Sequence, residues 1–269
     1  MTVAEALAGS GIDLFEARLL LTAVSGLSRV ALAAHPEARL SDAVVTAFRT
    51  MTARRTRGEP IAYLLGERQF YAISLHVTPD VLIPRPETEL LVEFALECLP
   101  AGGTLLDLGT GSGAIALAVK QHRPDALITA VDQSTASLSV ARANATRLGL
   151  DVEFILGSWF EPVRLRRFQL VLSNPPYVAQ GDPHLEEGDL RFEPRAALVG
   201  GTDGLEAIRQ IAGTACNHLC DGGWIAIEHG QGQDAEVRRL LTAAGLETVL
   251  SRADLAGIAR ISVGKYNLE

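Results

Sequence analysis

The chain has 269 residues, of which 48% are apolar and 21% are charged, and its net charge is −8 at pH 7. This composition is typical of a globular protein with ample core material and room for one large domain, or for one domain and a smaller one. Proteins whose main partner is nucleic acid are usually basic, so the acidic balance disfavours that class. Two arginine-rich runs, at residues 54–57 and 164–167, are interpreted as a solvated helix end and a loop.

Cysteine usage and the N-terminus indicate the compartment. Cys98, Cys216 and Cys220 form no Cys-x-x-Cys pair, so we expect free cysteines in a reducing compartment and no metal site. No basic segment followed by an apolar one opens the chain, and no apolar stretch reaches the roughly 20 residues that a membrane span needs. We therefore expect a soluble, cytoplasmic protein. Separately, we expect it to be a monomer.

The first 67 residues predict a small helical domain. Asp13 and Ser41 are predicted N-caps of helices over residues 14–24 and 42–57, and Pro60 suits the first turn of another short helix. Apolar residues recur at helical spacing, and the alternation typical of strands is absent.

Residues 68–82 predict a β-hairpin that links this domain to the rest of the chain. Ile73, Leu75 and Val77 alternate with polar residues, as in short strands, and a Thr-Pro-Asp turn follows at 78–80. The segment after the hairpin leads into a helix whose first turn is expected to hold Thr88 or Glu87.

Strands and helices alternate over residues 83–269, which predicts a doubly wound, mainly parallel sheet. The last two strands leave no room for a helix between them, so we expect an antiparallel hairpin at one edge. The seven predicted strands cover residues 104–107, 127–132, 152–156, 168–173, 224–228, 247–251 and 259–263.

A glycine loop follows the first strand of this domain. Gly109, Thr110, Gly111, Ser112 and Gly113 connect that strand to a helix, and glycines let a backbone approach a ligand closely. The glycine spacing is tighter than the Gly-x-Gly-x-x-Gly of dinucleotide sites, which disfavours a dinucleotide oxidoreductase.

Two side chains at later strand ends complete a candidate cofactor site. Asp132 ends the second strand, where a carboxylate can accept both hydroxyls of a ribose, or can cap the helix that begins near Ser134. Trp159 follows the third strand and can stack on an adenine ring or belong to the core. With the glycine loop, these residues resemble the S-adenosylmethionine (SAM) site of class I methyltransferases, whose seven-stranded sheet also fits the predicted strands.

Asn174, Pro175, Pro176 and Tyr177 stand at the predicted carboxyl end of the strand over residues 168–173, the edge at which ligands bind in open α/β sheets. The Asn174 side-chain oxygen and the Pro175 carbonyl can accept both N–H groups of a planar –NH2, and Tyr177 can cover its face. Such a site favours methylation of an amide or an adenine amine, and the four residues alone do not choose between them. The alternative is a turn that only ends the strand.

Over nearly its full length the chain resembles the PrmC/HemK family of release-factor glutamine methyltransferases. The matching segments are Glu-Pro-Ile-Ala-Tyr-Leu at 59–64, Leu-Ile-Pro-Arg-Pro-Glu-Thr-Glu at 82–89, the glycine loop at 109–113, Ser-Asn-Pro-Pro-Tyr at 173–177, Gly-Asp-Leu-Arg-Phe-Glu-Pro at 188–194 and Glu-His-Gly at 228–230.

The resemblance implies methyl transfer from SAM, with S-adenosylhomocysteine as product, to the side-chain N5 of the glutamine in the Gly-Gly-Gln motif of bacterial release factors. It implies that Asn174, Pro175 and Tyr177 hold that glutamine, and that the loop at 109–113, Asp132, Trp159 and Asn174 surround SAM. The helical domain would help to dock the release factor.

Two other functions remain open at this stage, a DNA adenine N6-methyltransferase and a translation-associated module that binds SAM without transferring its methyl group. Neither a separate recognition domain nor a basic balance supports the first, and the intact Asn174 and Tyr177 argue against the second. The long segment 178–201 has few helix or strand signals, and we expect its part at 188–194 either to shape a substrate groove or to pack as a crossover loop.

Overall fold

A computed structural model describes residues 1–268. By their contacts the residues divide into two compact units. The smaller unit contains Met1–Glu67 together with Glu186–Phe192, and the larger contains Arg68–Leu185 and the chain from Glu193 onward. The contacts thus group the hairpin region 68–82 with the larger unit.

Helices and strands are numbered separately in chain order. The helices are α1 Val3–Ala8, α2 Leu14–Ser25, α3 Arg29–Ala34, α4 Asp42–Thr56, α5 Ile61–Leu65, α6 Glu89–Cys98, α7 Ala114–His122, α8 Thr135–Leu148, α9 Arg195–Leu198, α10 Glu206–Ala215 and α11 Asp234–Ala243. The strands are β1 Glu67–Phe70, β2 Ile73–His76, β3 Thr104–Leu108, β4 Leu127–Asp132, β5 Glu153–Leu156, β6 Phe168–Ser173, β7 Leu219–Glu228, β8 Glu247–Ala253 and β9 Ala259–Lys265.

The smaller unit is helical, as predicted, and its first four helices begin at polar caps. The Asp13 carboxylate accepts hydrogen bonds from the amides of Phe15 and Glu16, and the Ser41 hydroxyl accepts one from Val44. Both predicted N-caps are therefore confirmed. The core of this unit consists of buried apolar residues from α1–α5, namely Val3, Ala6, Ala17, Leu20, Leu21, Leu32, Phe48 and Leu64.

Carboxylates pair with two of the three arginines in the run at the end of α4. Arg54 pairs with Glu59. The Arg55 guanidinium lies 2.7 Å from Glu16 and 3.2 Å from Asp189. These pairs reduce the positive charge that the run offers to a phosphate backbone, in agreement with the interpretation of the run as a helix end.

The larger unit contains the predicted sheet, with strand order β5-β4-β3-β6-β7-β9-β8. The first five of these strands are parallel, and β9 is antiparallel to both β7 and β8. Chain order reverses between β3 and β6, so the crevice outside their carboxyl ends is the expected ligand position. The predicted fold and its terminal antiparallel hairpin are confirmed.

Apolar side chains cover both faces of this sheet, because alternate residues of each strand point to opposite sides. One layer joins the β1–β2 hairpin, α6 and α7 to the sheet, and includes Ile73, Phe94 and Leu117. The other packs α10 and α11 and includes Ile208 and Val237. Strands fixed on both faces hold the loops at their carboxyl ends in place.

Candidate functional site

A cleft opens at the carboxyl ends of β3, β4 and β6, on the larger unit alone. It is where the reversal of strand order predicts a ligand. The residues that line it are 80–82, 84, 88, 109–112, 114, 115, 131–134, 137, 157–159, 174, 176, 194, 196 and 197.

The glycine loop forms the floor of the cleft. Gly109 and Gly111 have φ angles of 75° and 56°, which side chains rarely adopt, and a Cβ atom at Gly111 would meet open space. Gly113 differs, because it is buried as the N-cap of α7 and its Cβ would lie 2.9 Å from Leu117. Of the predicted loop residues, Gly109, Thr110, Gly111 and Ser112 line the cleft. Gly113 lies outside the lining and joins the loop to α7.

Asp132 joins the glycine loop to the start of α8. Its Oδ2 accepts a hydrogen bond from the Gly111 amide at 2.9 Å, and its Oδ1 accepts one from the Ser134 amide at 2.8 Å. The cap of α8 is Ser134, whose hydroxyl accepts from the Ser137 amide, so the interpretation of Asp132 as the helix cap is wrong. Burial raises the pKa of Asp132, and the backbone amides partly offset this effect.

Beneath the loop lies Asp107, a fully buried carboxyl that the sequence did not place in any role. Its Oδ2 accepts a hydrogen bond from the Thr110 hydroxyl at 2.6 Å, and its Oδ1 makes no hydrogen bond of normal geometry within residues 1–268. Burial raises the pKa of Asp107 to about 7, although Thr110 and the Ala116 amide favour the charged form. This carboxyl fixes Thr110 within the loop.

Trp159 stands beside the glycine loop. Its ring carbon Cζ3 lies 3.5 Å from the position that a Cβ of Gly109 would take, and its Nε1 donates to Gln210 at 2.9 Å. The φ angle of Trp159 is 45°, which is unusual for a bulky residue and is found where surrounding structure imposes it. The indole lines the cleft and also packs on the buried layer between the sheet and α10.

Asn174 presents its amide at the end of β6. Its Nδ2 donates to the Thr88 hydroxyl at 3.0 Å, and its Oδ1 accepts no hydrogen bond from the described residues. The carbonyl of the buried Pro175 likewise accepts none within the described chain. Asn174 and Pro176 line the cleft, whereas Pro175 and Tyr177 lie outside its lining.

The partly buried Tyr177 is hydrogen-bonded to the buried Glu228. The phenol donates to Glu228 Oε1 at 3.2 Å, and Glu228 is 1% exposed. Burial raises the pKa of Glu228 to about 7, although the Thr88 and Tyr177 hydroxyls favour its charged form. Burial and the neighbouring carboxyl raise the pKa of Tyr177, so the phenol stays protonated and remains a donor.

Glycines pack directly on the Asn-Pro-Pro-Tyr backbone. A Cβ at Gly200 would lie 2.3 Å from the Pro176 carbonyl oxygen, and one at Gly204 would lie 2.3 Å from that of Tyr177. Gln233 reaches the same segment, since its Nε2 donates to the Tyr177 carbonyl at 3.1 Å. These contacts fix the position of the segment, and they leave no room for a side chain at either glycine.

Of the remaining cleft residues, only Pro194 lies in a segment that the sequence predicted to shape a groove, residues 188–194. Residues 80–82, Pro84 and Thr88 precede the sheet in the chain, and Pro194, Ala196 and Ala197 come from the long segment after β6. Glu193 joins the two stretches, because its buried carboxylate pairs with Arg85 and accepts from the Ile83 amide at 3.0 Å. The matching motifs at 82–89 and 188–194 were the available signal for this part of the cleft.

Two family models match the chain. The model described as PrmC N-terminal domain matches residues 2–66, and the one described as Methyltransferase small domain matches residues 86–188. A release factor glutamine methyltransferase of Bordetella pertussis is 52% identical over 261 residues, which cover 96% of this chain and 97% of that protein. Proteins of the same name from Burkholderia pseudomallei and Neisseria gonorrhoeae are 48% and 47% identical, over 98% and 99% of this chain.

The chain belongs to the release factor glutamine methyltransferase family. It is therefore a methyltransferase, and its cofactor is S-adenosylmethionine.

Solved structures share the fold of this chain. A methyltransferase from Pyrococcus furiosus aligns with a TM-score of 0.59 at 18% identity, covering 81% of this chain and 99% of that one. A 16S rRNA N2 G1207 methyltransferase of T. thermophilus, solved with AdoMet and guanosine, aligns with a TM-score of 0.55 at 20% identity over 75% of this chain and 50% of that one.

The cleft suits SAM in its chemistry. The glycine loop leaves open space at Gly111 for a ligand. The Asp132 carboxylate has further lone pairs for hydroxyl donors, and Trp159 offers a flat aromatic face. Among the described residues, no group of three His, Cys, Asp or Glu side chains is arranged to hold a metal ion. In residues 1–268 every helix is too short or too polar to span a membrane.

Proposed function

We propose that this protein transfers the methyl group of SAM to the side-chain N5 of the glutamine in the Gly-Gly-Gln motif of bacterial class 1 release factors, leaving S-adenosylhomocysteine. The observation that carries the proposal is the state of Asn174. Its amide nitrogen is engaged by Thr88, while its oxygen and the Pro175 carbonyl accept no hydrogen bond from the described residues. Two unengaged acceptors at the end of β6 match the two N–H groups of a primary amide.

On the cofactor side, the proposal assigns one role to each kind of residue. Gly109, Thr110, Gly111 and Ser112 face the methionine part of SAM, with Gly113 fixing the loop onto α7. Asp132 accepts the ribose hydroxyls while its backbone contacts hold the loop, and Trp159 stacks on the adenine. When bound, SAM supplies a methyl group on a positively charged sulfur, which makes that carbon electrophilic.

On the substrate side, the problem is that an amide nitrogen is a poor nucleophile, because its lone pair is delocalised. In the proposal Asn174 Oδ1 and the Pro175 carbonyl accept the two N–H groups and turn the lone pair out of conjugation, toward the cofactor. These bonds strengthen as positive charge develops on nitrogen, so they stabilise the transition state more than the ground state. Holding the amide in one orientation adds a proximity effect that reaches about 7–11 kcal/mol in favourable cases.

Tyr177 and Pro176 complete the substrate site in this proposal. The Tyr177 phenol is tied to Glu228, so its ring is held in one orientation and can cover the plane of the amide and favour the developing positive charge. Pro176 lines the cleft and excludes water from that side. No strong base is needed, because the nitrogen loses its proton readily once methylated.

We further propose that three parts of the chain have different roles. Residues 1–67 form a domain that helps to dock the release factor, residues 68–82 form the hairpin linker, and residues 83–269 form the catalytic domain. Because release factors act in translation, we propose that the enzyme is cytoplasmic and contacts protein rather than nucleic acid or membrane. We also propose that it is a monomer. The pairing of Arg54 and Arg55 with carboxylates at the end of α4 supports a protein partner over a phosphate backbone.

The test is mass spectrometry of a purified release factor after incubation with the enzyme and SAM. We expect a gain of one CH2 unit on the glutamine of Gly-Gly-Gln, and no gain when that glutamine is replaced by alanine. Duplex DNA is incubated in parallel. Methylated adenine with an unmodified release factor would establish the DNA methyltransferase alternative, and SAM binding without turnover on either substrate would establish the binding module.

A further inference from the structure

The backbone of the substrate site lies just beyond the sheet. Within residues 1–268 the pairing of β6 with β7 ends at Ser173 and Ile227. The chain then continues as Asn-Pro-Pro-Tyr after β6, and as His-Gly after Glu228 at the end of β7. Pro175 and Pro176 have no N–H group, so they cannot donate to a neighbouring strand. Side chains must therefore hold this backbone where the sheet does not.

Gln233, at the start of α11, connects the two chain segments with its carboxamide. Its Nε2 donates to the Tyr177 carbonyl at 3.1 Å, and its Oε1 accepts from the Gly230 amide at 2.8 Å. This pair of hydrogen bonds is called the Gln233 bridge below. Because a backbone carbonyl can only accept and a backbone amide can only donate, a single orientation of the carboxamide satisfies both partners.

We propose that Gln233 is a positioning residue that holds the Pro175 carbonyl and the Tyr177 ring in the geometry needed for methyl transfer. Gln233 has this role only if the proposed function holds, because the groups that it positions are those assigned to the substrate amide. Gln233 lies outside the cleft lining, so it acts through Tyr177 and touches no reacting atom.

The helix itself does not account for a glutamine at this position. Gln233 is the N-cap residue of α11, where Ser, Thr, Asp and Asn are favoured because their short side chains reach the free amides of the first turn. The Gln233 side chain makes no capping hydrogen bond. It is directed to Tyr177 and Gly230 instead, so its contribution lies in the bridge and not in the helix.

The two prolines extend the effect of the bridge back along the chain. The peptide between Tyr177 and Val178 is held on both sides, because Gln233 binds its carbonyl and the Val178 amide donates to the end of α9 at 2.9 Å. The proline rings fix φ at residues 175 and 176, and a residue before proline is confined to extended angles. Few backbone rotations remain between this peptide and the Pro175 carbonyl, so the direction of that carbonyl follows from the position of Tyr177.

The same turn also holds the Tyr177 ring. The phenol donates to Glu228 at 3.2 Å, and a Cβ at Gly230 would lie 3.4 Å from the ring carbon Cδ2 and 3.1 Å from Gln233 Oε1. Gly204 leaves similar room at the other end of the bridge, where a Cβ would lie 3.0 Å from Gln233 Nε2. Tyr177 is thus held at its carbonyl, its ring and its phenol by the end of β7 and the turn that follows it.

Two substitutions of similar size test the bridge. Gln233→Met removes both hydrogen bonds, whereas Gln233→Glu keeps the acceptor for Gly230 and places a carboxylate oxygen against the Tyr177 carbonyl. We expect kcat with a release factor to fall about fivefold or more in Gln233→Met and about tenfold or more in Gln233→Glu, while the KM for the release factor and the Kd for SAM change less than about threefold. Gln231→Glu is the matched control, since it adds the same charge at an exposed position of the same turn and should keep the kcat of the wild type.

Hydrogen exchange of two backbone amides, followed by NMR, needs no release factor. The Val178 amide reports on the peptide that Gln233 holds, and we expect it to exchange faster in both Gln233 variants than in the wild type. The Gly230 amide should exchange faster in Gln233→Met but stay protected in Gln233→Glu, which keeps its acceptor. Gln231→Glu should leave both amides as they are in the wild type.

The outcomes separate this role from the proposed function. Full kcat in both Gln233 variants, or unchanged exchange of the Val178 amide in both, would overturn the positioning role. A loss confined to the Kd for SAM would overturn it as well, since positioning of the substrate acceptors acts on kcat. If the exchange rates change as expected but the wild type leaves the release factor unmethylated, the proposed function fails and the Gln233 bridge stands.

Discussion

Replacing Asp132 by alanine tests the cofactor side of the site most directly. In the proposal each of its oxygens serves a ribose hydroxyl in addition to a backbone amide, at 2.9 Å for Gly111 and 2.8 Å for Ser134. A hydrogen bond to a charged group contributes about 1.5–3 kcal/mol. Burial raises the pKa of Asp132, which shows that desolvation disfavours its charged form. Desolvation therefore offsets part of the binding free energy of each ribose hydrogen bond, and we use the lower end of the range, about 1.5 kcal/mol per bond.

The expected loss therefore lies between about tenfold in Kd for one ribose bond and about a hundredfold for two, at about 1.4 kcal/mol per factor of ten. Isothermal titration calorimetry of SAM into the wild type, Asp132→Ala and Asp132→Asn measures it. Asparagine keeps one acceptor oxygen and should give an intermediate affinity. Asp125→Ala is the matched control, since Asp125 also accepts from a backbone amide, that of Gly102 at 2.7 Å, but lies outside the cleft lining.

An unchanged Kd in Asp132→Ala would refute the ribose assignment. Asp132 would then only support the glycine loop and the turn before α8. A thermal melt of each variant shows whether it is folded. A folded Asp132→Ala variant with the Kd of the wild type means that Asp132 makes no contribution to SAM binding.

Three further changes probe the rest of the site. Asn174→Ala should lower single-turnover methylation by at least about a hundredfold while SAM affinity in calorimetry stays within a few-fold, since the lost bond is strongest in the transition state. Gly200→Ala places a Cβ 2.3 Å from the Pro176 carbonyl and should lower both Tm and activity, whereas Gly213→Ala, whose Cβ meets nothing within 4 Å, should raise stability by about 0.5–1 kcal/mol. Asp107 has a folded pKa of about 7 against 3.8 unfolded, so its contribution to stability is full below pH 4 and is lost as pH rises through 7, about 4 kcal/mol in all. Urea unfolding of the wild type should show this fall and Asp107→Asn should lack it, and an equal pH dependence in both proteins would contradict it.

The sequence predicts strands well where the core covers both faces. β4 and β6 have the predicted limits, because their apolar runs end at polar or chain-breaking residues. β7 starts at Leu219, five residues before the predicted start. The prediction placed the start too late because Asp-Gly-Gly at 221–223 has the pattern of a turn. The strand passes through it with an irregular register between Phe168 and Leu170 of β6.

The candidate site is less predictable, since it depends on distant contacts and on backbone angles. Three glycines at alternate positions look equivalent in the sequence, yet Gly113 packs on Leu117 while Gly111 faces open space. Thr88 and Asn174 are 86 positions apart, and no periodicity relates them. Glu228 belonged to a matching motif but had no role until Tyr177 was found to donate to it.

The position of β9 has a consequence for the newly synthesised chain. β8 is made before β9 but joins the sheet only through it, and β9 also covers the outer edge of β7, with Ile261 opposite Glu228. A nascent or truncated chain that stops before Ala259 would carry an open strand edge on β7, which invites pairing with other chains. It would also lack the strand that holds Glu228 beside Tyr177. Such fragments are expected to aggregate rather than to act as partial enzymes, so catalytic competence is acquired late in synthesis.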